Sequence, residues 1–330
     1  MEMVHLHVHS QYSMQDGLCS LDDLIKQAAK FNMKAVALTD HDGLYGAIQF
    51  YKKAKSAGIK PIIGCEIRIK DNQKSKEIYH LILLVENKKG YSNLCQIITR
   101  AHLSNPCSIP AIEKDILAKY SKGIIGLSGC DKGEIPLLLS QKKAEQAEET
   151  AYWYQQVFGK ENFYLELSFH GLSKEKEVNS KLIEMGKRLN IPLVATNNVH
   201  YLEKKQAPSQ CLLNKIANLG TKERFYHQKL ETDEYYFKSP SEMEKLFSLV
   251  PQALKNSSEI AEKCSLELNL GEIHLPAYPL PSSSSAPDYL KKICLGGLND
   301  SGQGEDRHKL SDFIYLLREE SQYPPCISNS

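Results

Sequence analysis

The sequence predicts an α/β fold, and three observations predict it. Short β-branched apolar runs alternate with amphipathic helical stretches through the first two hundred residues, the runs recur about seven times, and several of them end in residues of metal-ligand type. Alternation of this kind marks parallel strands joined by crossover helices. The runs at 4–7, 35–39, 61–65, 78–85, 123–127, 163–167 and 193–196 have ordinary strand lengths.

Between them the helices carry their own signals. Ser20 and Asp23 make a capping-box-like start, after which Leu21, Leu24, Ile25 and Ala28 line one face. A second helix follows Gly43, with Ala47, Ile48, Tyr51 and Ala54 on one face and Gly58 as its stop. Further helices open near Tyr91, Ala144 and Glu177. Beyond Tyr201 the alternation gives way to helical stretches at 241–247 and 253–264, and then to a Pro/Ser-rich linker at 279–285. The polar remainder is expected to be poorly ordered, a short helix at 310–317 being the alternative. The predicted organisation is a core at 1–202, a helical extension at 203–278 that completes or flanks it, and a linker and divergent tail at 279–330.

Composition narrows the function classes. A hydrophobic fraction of 42% with 25% charged residues is globular. Lys and Arg number 41 against 40 Asp and Glu, so no whole-molecule field draws nucleic acid, and any such contact must be local. No apolar run reaches about 18 residues and no leader-like segment opens the chain, so the expectation is a soluble, cytoplasmic protein without membrane contact. The nine cysteines form no CxxC pair in a chain too large to need disulfide staples, which predicts reduced thiols. GxSxG, GxxxxGK[ST] and GxGxxG are absent, which removes support for serine hydrolase, NTPase and dinucleotide readings.

The chemistry concentrates at strand ends. His5, His7 and His9 alternate along the first run and are expected to share one face, a common way to set imidazoles on a metal ion. Asp40 and His41 follow the second run, Glu66 the third, Cys130 the fifth, and Asn197, Asn198 and His200 the seventh. In a parallel barrel the carboxyl ends of the strands converge on one rim. With Asp16 after the first run and His80 in the fourth, these residues predict a multinuclear metal site. Such a site suits phosphoester hydrolysis by an activated water, with no side-chain nucleophile.

The segments HLHVHSQYSMQDG at 5–17, LTDHDGLYGAIQFYKKAKSAGIKPIIGCE at 38–66, HLILL at 80–84, GLSGC at 126–130 and VATNNVHYL at 194–202 resemble the polymerase-and-histidinol-phosphatase (PHP) domain that opens bacterial DNA polymerase III alpha subunits. LETDEYYFKSPSEMEKLF at 230–247 and LPAYPLP at 275–281 extend the resemblance and belong to the polymerase branch. It implies a distorted (β/α)7 TIM-like barrel with up to three divalent ions: zinc, manganese or iron. His7, His9, Asp16, His41, Glu66, His80, Cys130 and His200 match the family's ligands, while Asn198 stands where Asp is usual, so the ion shared with His7, His9 and Glu66 is expected to bind more weakly. Asp40 is expected to orient His41. His170 also matches a familiar position, against a plain hydrogen-bonding role.

By this resemblance the chain is a metal-dependent phosphoesterase and candidate 3′ to 5′ exonuclease in DNA replication, its partners being a DNA 3′ end and the other replicative polymerase subunits. It stops before the polymerase active site, so polymerisation is not expected of it. A non-catalytic, metal-stabilised module of the polymerase and a free-standing small-molecule phosphatase are the alternatives.

Overall fold

The extended runs curl into a closed sheet. A computed structural model describes residues 3–71, 77–104, 109–217, 232–272, 278–281 and 284–300. The first helix, α1 (Leu21–Lys30), is capped by Ser20, whose side chain accepts from the Asp23 N–H, and it leads to β1 (Ala35–Leu38). Next come α2 (Ala47–Ser56), the long β2 (Lys60–Lys70), β3 (Tyr79–Val85) and α3 (Lys88–Ser104). A two-residue β4 (Ile112–Glu113) and the short α4 (Lys114–Tyr120) precede β5 (Ile124–Leu127) and α5 (Glu134–Ser140). The barrel is completed by α6 (Ala144–Phe158), β6 (Phe163–Leu167), α7 (Glu175–Leu189) and β7 (Leu193–Ala195). Then follow α8 (Ala207–Ala217), α9 (Pro240–Leu246) and α10 (Pro251–Lys263).

The sheet order is β1-β2-β3-β5-β6-β7, with β4 beside β2. Residues 4–9 close the ring. On one side Ala37 N–H donates to His5 O and Thr39 N–H to Val8 O; on the other His9 N–H donates to Val199 O and Val199 N–H to His7 O. That makes the seven segments expected from the sequence.

Two details correct the expectation. The sheet is not wholly parallel: β3 runs antiparallel to both β2 and β5. Its amino end, not its carboxyl end, therefore reaches the functional rim, which is why a histidine near the start of this strand belongs there. The alternation of the first run is also interrupted. The bonds from β1 advance two residues, Ala37 to Thr39, while their acceptors advance three, His5 to Val8, so one residue is extra. Such a bulge re-aims the side chains after it. Val4 and Leu6 face the interior with Ala35, Ala37 and Ile62, and His7 and His9 beyond the bulge turn inward too, whereas Val8 packs outward. His5 falls on the other side.

One end of the interior is apolar and is plugged by α10, whose Ile260 and Ala261 join Leu6, Ile62, Ile82 and Ile125 in one cluster. The sequence carries this helix because Ala253, Leu254, Ser257, Ile260 and Ala261 fall at helical spacing on its buried face. Residues Met1–Leu268 form one compact unit, and α8 to α10 lie within it. The second unit, Asn269–Ser330, contains α11 (Ala286–Asp300), regular structure just beyond the linker where an unordered tail was expected. The alternative helix at 310–317 lies outside the described residues. None of the seven cysteines among the described residues is in a disulfide.

Candidate metal centre

The rim gathers side chains that chain distance separates by almost two hundred residues. His7 Nδ1–H donates to Glu166 Oε1 at 2.7 Å, His9 Nδ1–H to Ser13 Oγ at 3.0 Å and His200 Nδ1–H to the main-chain oxygen of Asn198 at 2.9 Å. Ser13 Oγ spends its own proton on Asp40 Oδ1 at 2.7 Å, so toward His9 it can only accept. These partners fix the tautomers: each Nδ1 keeps its hydrogen, and each Nε2 is left free to accept.

The freed atoms point at one another. His7 Nε2 lies 3.1 Å from His9 Nε2, and each lies 2.9 Å from Glu66 Oε2. Three lone-pair donors at such spacing repel unless something positive sits among them. Edges of about 3.0–3.4 Å are what ligand atoms sharing one divalent ion show at bond lengths near 2.1 Å. The donor set therefore fits a metal ion.

Two further groups share these residues, His41 with Glu66 and His80, and His9 with His41 and His200. Glu66 Oε1 accepts from His80 Nδ1, and Asp16 Oδ2 lies 2.8 Å from His41 Nε2 and 3.3 Å from His200 Nε2. Cys130 and Asn198 line the same cleft, of about 170 Å³, and Cys130 enters none of the three groups. Asn198 Nδ2 donates to Cys130 Sγ at 3.4 Å, while its buried Oδ1 has no hydrogen-bond partner among the described residues. A neutral acceptor thus stands idle at the cleft wall.

Charges follow from these contacts. Burial opposes a charge on His7, but Glu166 and then Glu66 lift its imidazole to about 10, so a proton holds the place that a cation can take. Burial, with His41 and His200 alongside, keeps His9 well below its ordinary value. Burial likewise opposes ionisation of Glu66, yet His41, His7 and His80 hold its carboxyl well below the usual range. Asp16 is held down against burial by His200 and His41. Burial pushes the Cys130 thiol well up.

Several sequence readings change. Asp40 does not hydrogen-bond the His41 ring: its carboxylate accepts from Ser10 N–H, Ser10 Oγ and Ser13 Oγ, and so it orients His9 through Ser13. His5 leaves the constellation, bonding Lys238 O at 2.8 Å and packing on Phe237 with ring centroids 4.3 Å apart. Asn197 braces the 234–238 segment through Glu234 O and Tyr236 O. His170, by contrast, keeps the plain hydrogen-bonding role the sequence favoured, bridging Glu175 Oε1 and Asn197 O. Sequence reasoning missed Glu166, Ser13 and Lys132. Glu166 had a signal, as the sole charge in the strand FYLEL and in phase with the inward Tyr164.

Residues 5–170 match the PHP domain family. The DNA polymerase III alpha subunit of Borreliella burgdorferi is 41% identical over 305 residues, 89% of this chain, and that of Treponema pallidum 38% over 309 residues, 91% of it. The chain spans 26% of the length of each of these relatives. A solved protein from Bifidobacterium adolescentis, provisionally described as a metal-dependent phosphoesterase, superposes with a TM-score of 0.43 at 13% identity, over 60% of this chain and 87% of that one. The chain belongs to the PHP domain family and is homologous to the amino-terminal region of bacterial DNA polymerase III alpha subunits.

Proposed function

We propose that the rim is a metal-dependent phosphoesterase centre that removes nucleotides from a DNA 3′ end, within the setting of a replicative polymerase. The observation that carries this reading is the meeting of His7 Nε2, His9 Nε2 and Glu66 Oε2 within 3.1 Å, each imidazole pre-set by a partner on its far side. Asp16, His41, His80 and His200 extend the donor set, so that more than one divalent ion can share Glu66. Bound ions would neutralise phosphate oxygens and make a water nucleophilic near neutral pH. The chain's own part is to hold the donors in place: Glu166 orients His7, the Asp40–Ser13 pair orients His9, and the buried floor excludes bulk water.

The test uses the full chain purified without chelators. Elemental analysis should find divalent metal, and a 3′-labelled primer given manganese or zinc should lose its end, with His9→Ala abolishing the loss. A folded protein with neither metal nor cleavage overturns the proposal.

Asn198 favours a second reading, in which the site binds metal to brace the barrel without turnover, because its idle Oδ1 brings no charge. Asn198→Asp separates the two. A latent enzyme gains metal and cleavage together, and a brace gains only metal and stability.

A further inference from the structure

Beside the rim runs a groove of about 580 Å³ that shares Asp16, His41, His80 and Lys132 with the metal cleft, so the two form one continuous surface. Its outer part is built from Tyr12, Met14 and Tyr45. The tyrosine rings are seated on glycines. A Cβ added at Gly43 would come 2.4 Å from Tyr45 Cε2, and one at Gly46 would come 2.6 Å from Tyr12 Cδ2, so each ring rests directly on backbone that no other residue would leave clear.

The two rings are finished differently. Tyr12 is anchored, its hydroxyl donating to Gln49 Oε1 at 2.7 Å. Tyr45 is 65% exposed and its hydroxyl makes no hydrogen bond among the described residues, with Met14, 82% exposed, lining the same groove. Cations in the groove differ too. The Arg68 guanidinium is paired with Asp42, whereas the exposed Lys132 forms no ion pair among the described residues. A flat ring supported from beneath, an adaptable thioether and an ammonium held in no close ion pair, next to the proposed phosphoesterase centre, make a combination that single-stranded nucleic acid uses: an aromatic platform for a base and a cation for its backbone.

We propose that this groove is a nucleobase subsite, in which a base of single-stranded DNA stacks on Tyr45 while its phosphate lies between Lys132 and the metal rim. The inference rests on the phosphoesterase reading of that rim. A small phosphomonoester would leave the Tyr45 and Met14 surfaces uncovered, so the groove also separates a nucleotide substrate from a metabolite.

Binding and cleavage are measured separately on the full chain. Fluorescence anisotropy with a 5′-fluorescein thymidine tetranucleotide, and with the same probe ending in a 3′ abasic residue, reads the subsite with or without turnover. Tyr45→Ala should weaken binding of the base-bearing probe by about 5- to 20-fold and leave the abasic probe unchanged, with Tyr45→Phe restoring wild-type binding. Lys132→Gln should weaken both probes alike and make the salt dependence shallower by about 0.7 in log–log slope.

Equal effects of Tyr45→Ala on the two probes, no effect on either, or no binding of either by the wild type would each overturn the subsite. Metal-dependent cleavage that ignores Tyr45 keeps the phosphoesterase and removes the subsite. Tyr45-dependent binding without cleavage does the reverse.

Discussion

Glu166→Gln isolates what a buried carboxylate behind a proposed metal ligand contributes. Glu166 Oε1 accepts from His7 Nδ1 at 2.7 Å and from Thr196 Oγ1 at 2.5 Å, and Gln can keep both contacts through its own amide oxygen while losing the charge. Partners of this kind typically set metal affinity by about 10- to 100-fold, or roughly 1.4–2.8 kcal/mol. With metal in excess, that loss appears directly as lost stability of the loaded protein. For a domain of this size it lowers the melting temperature by about 3–11 °C. The same substitution weakens the competing proton, because Glu166 stands first among the groups that raise His7 to about 10. The intrinsic loss is therefore partly masked at neutral pH and emerges as pH rises. The assay is metal titration by calorimetry, with thermal melts in metal and in chelator, at pH 7, 8 and 9. An affinity equal to wild type at all three pH values would refute the orienting role of Glu166.

Four further outcomes follow from the same geometry. In chelator the pairing of protonated His7, raised from 6.5 to about 10, contributes stability that is complete below pH 6.5 and lost as pH rises toward 10, whereas metal must displace that proton and binds better as pH rises; the melting-temperature gap between metal and chelator should therefore widen from pH 6.5 to 9, and a constant gap contradicts it. Asn198→Asp should tighten metal binding by about tenfold or more, read by competition with a metal-binding dye, and unchanged affinity would show that Oδ1 does not face the ion. Ile260→Ala, in the helix that plugs the barrel, should cost about 2–5 kcal/mol in urea unfolding, and a cost under about 1 kcal/mol would mean that α10 is dispensable. Gly129→Ala should cost about 1–3 kcal/mol, because its φ of +79° and a Cβ only 2.7 Å from His80 O leave no room, and near-neutrality in the same urea assay would rule out a demand for glycine there.

Much of the barrel was legible because its strands are continuous apolar runs and its helices carry caps and stops, as at Ser20 and Gly58. What escaped was whatever depends on pairing rather than composition. A strand reads the same in either direction, so nothing in HLILLV tells that β3 is antiparallel. The bulge between His5 and Val8 is a register event, fixed by Thr39 Oγ1, which accepts from Val8 N–H and donates to Val8 O, and it decides which of three alternating histidines face the metal cleft. Short helices such as α5, with Pro136 in its first turn, and the two-residue β4 are below the length at which periodicity can speak. At the site, ligand types were readable from strand ends. Their orienting partners were read only in part: Asp40 was expected behind His41, whereas its bond runs through Ser13 to His9, and Ser13 looks like ordinary loop polarity until that bond is seen.

The division of the barrel interior explains why the ligand cluster can exist at all. Along each strand the inward positions change character at one level: Leu6 gives way to His7 and His9, Ile62 to Glu66, Ile82 to His80, Tyr164 to Glu166, and Val194 to Thr196. Below that level the packing is apolar and closed by α10. Above it the buried groups are polar and charged. A charged layer on such a floor is poorly solvated, so burying it without compensation would cost several kcal/mol per ion. The compensation is mutual: Glu66 and Glu166 flank His7, and Asp16 joins His41 and His200. Five imidazoles and three carboxylates balance only if some imidazoles carry protons or if cations replace them, and the low dielectric that makes an unbalanced layer costly also makes cation binding strong. Deepening the apolar floor should therefore leave affinity intact, while opening it to water should weaken it. Ile82→Ala, at the cross-strand partner of Glu66, should lower metal affinity as well as fold stability, and a variant that loses stability with its metal affinity unchanged would show that the floor serves packing alone.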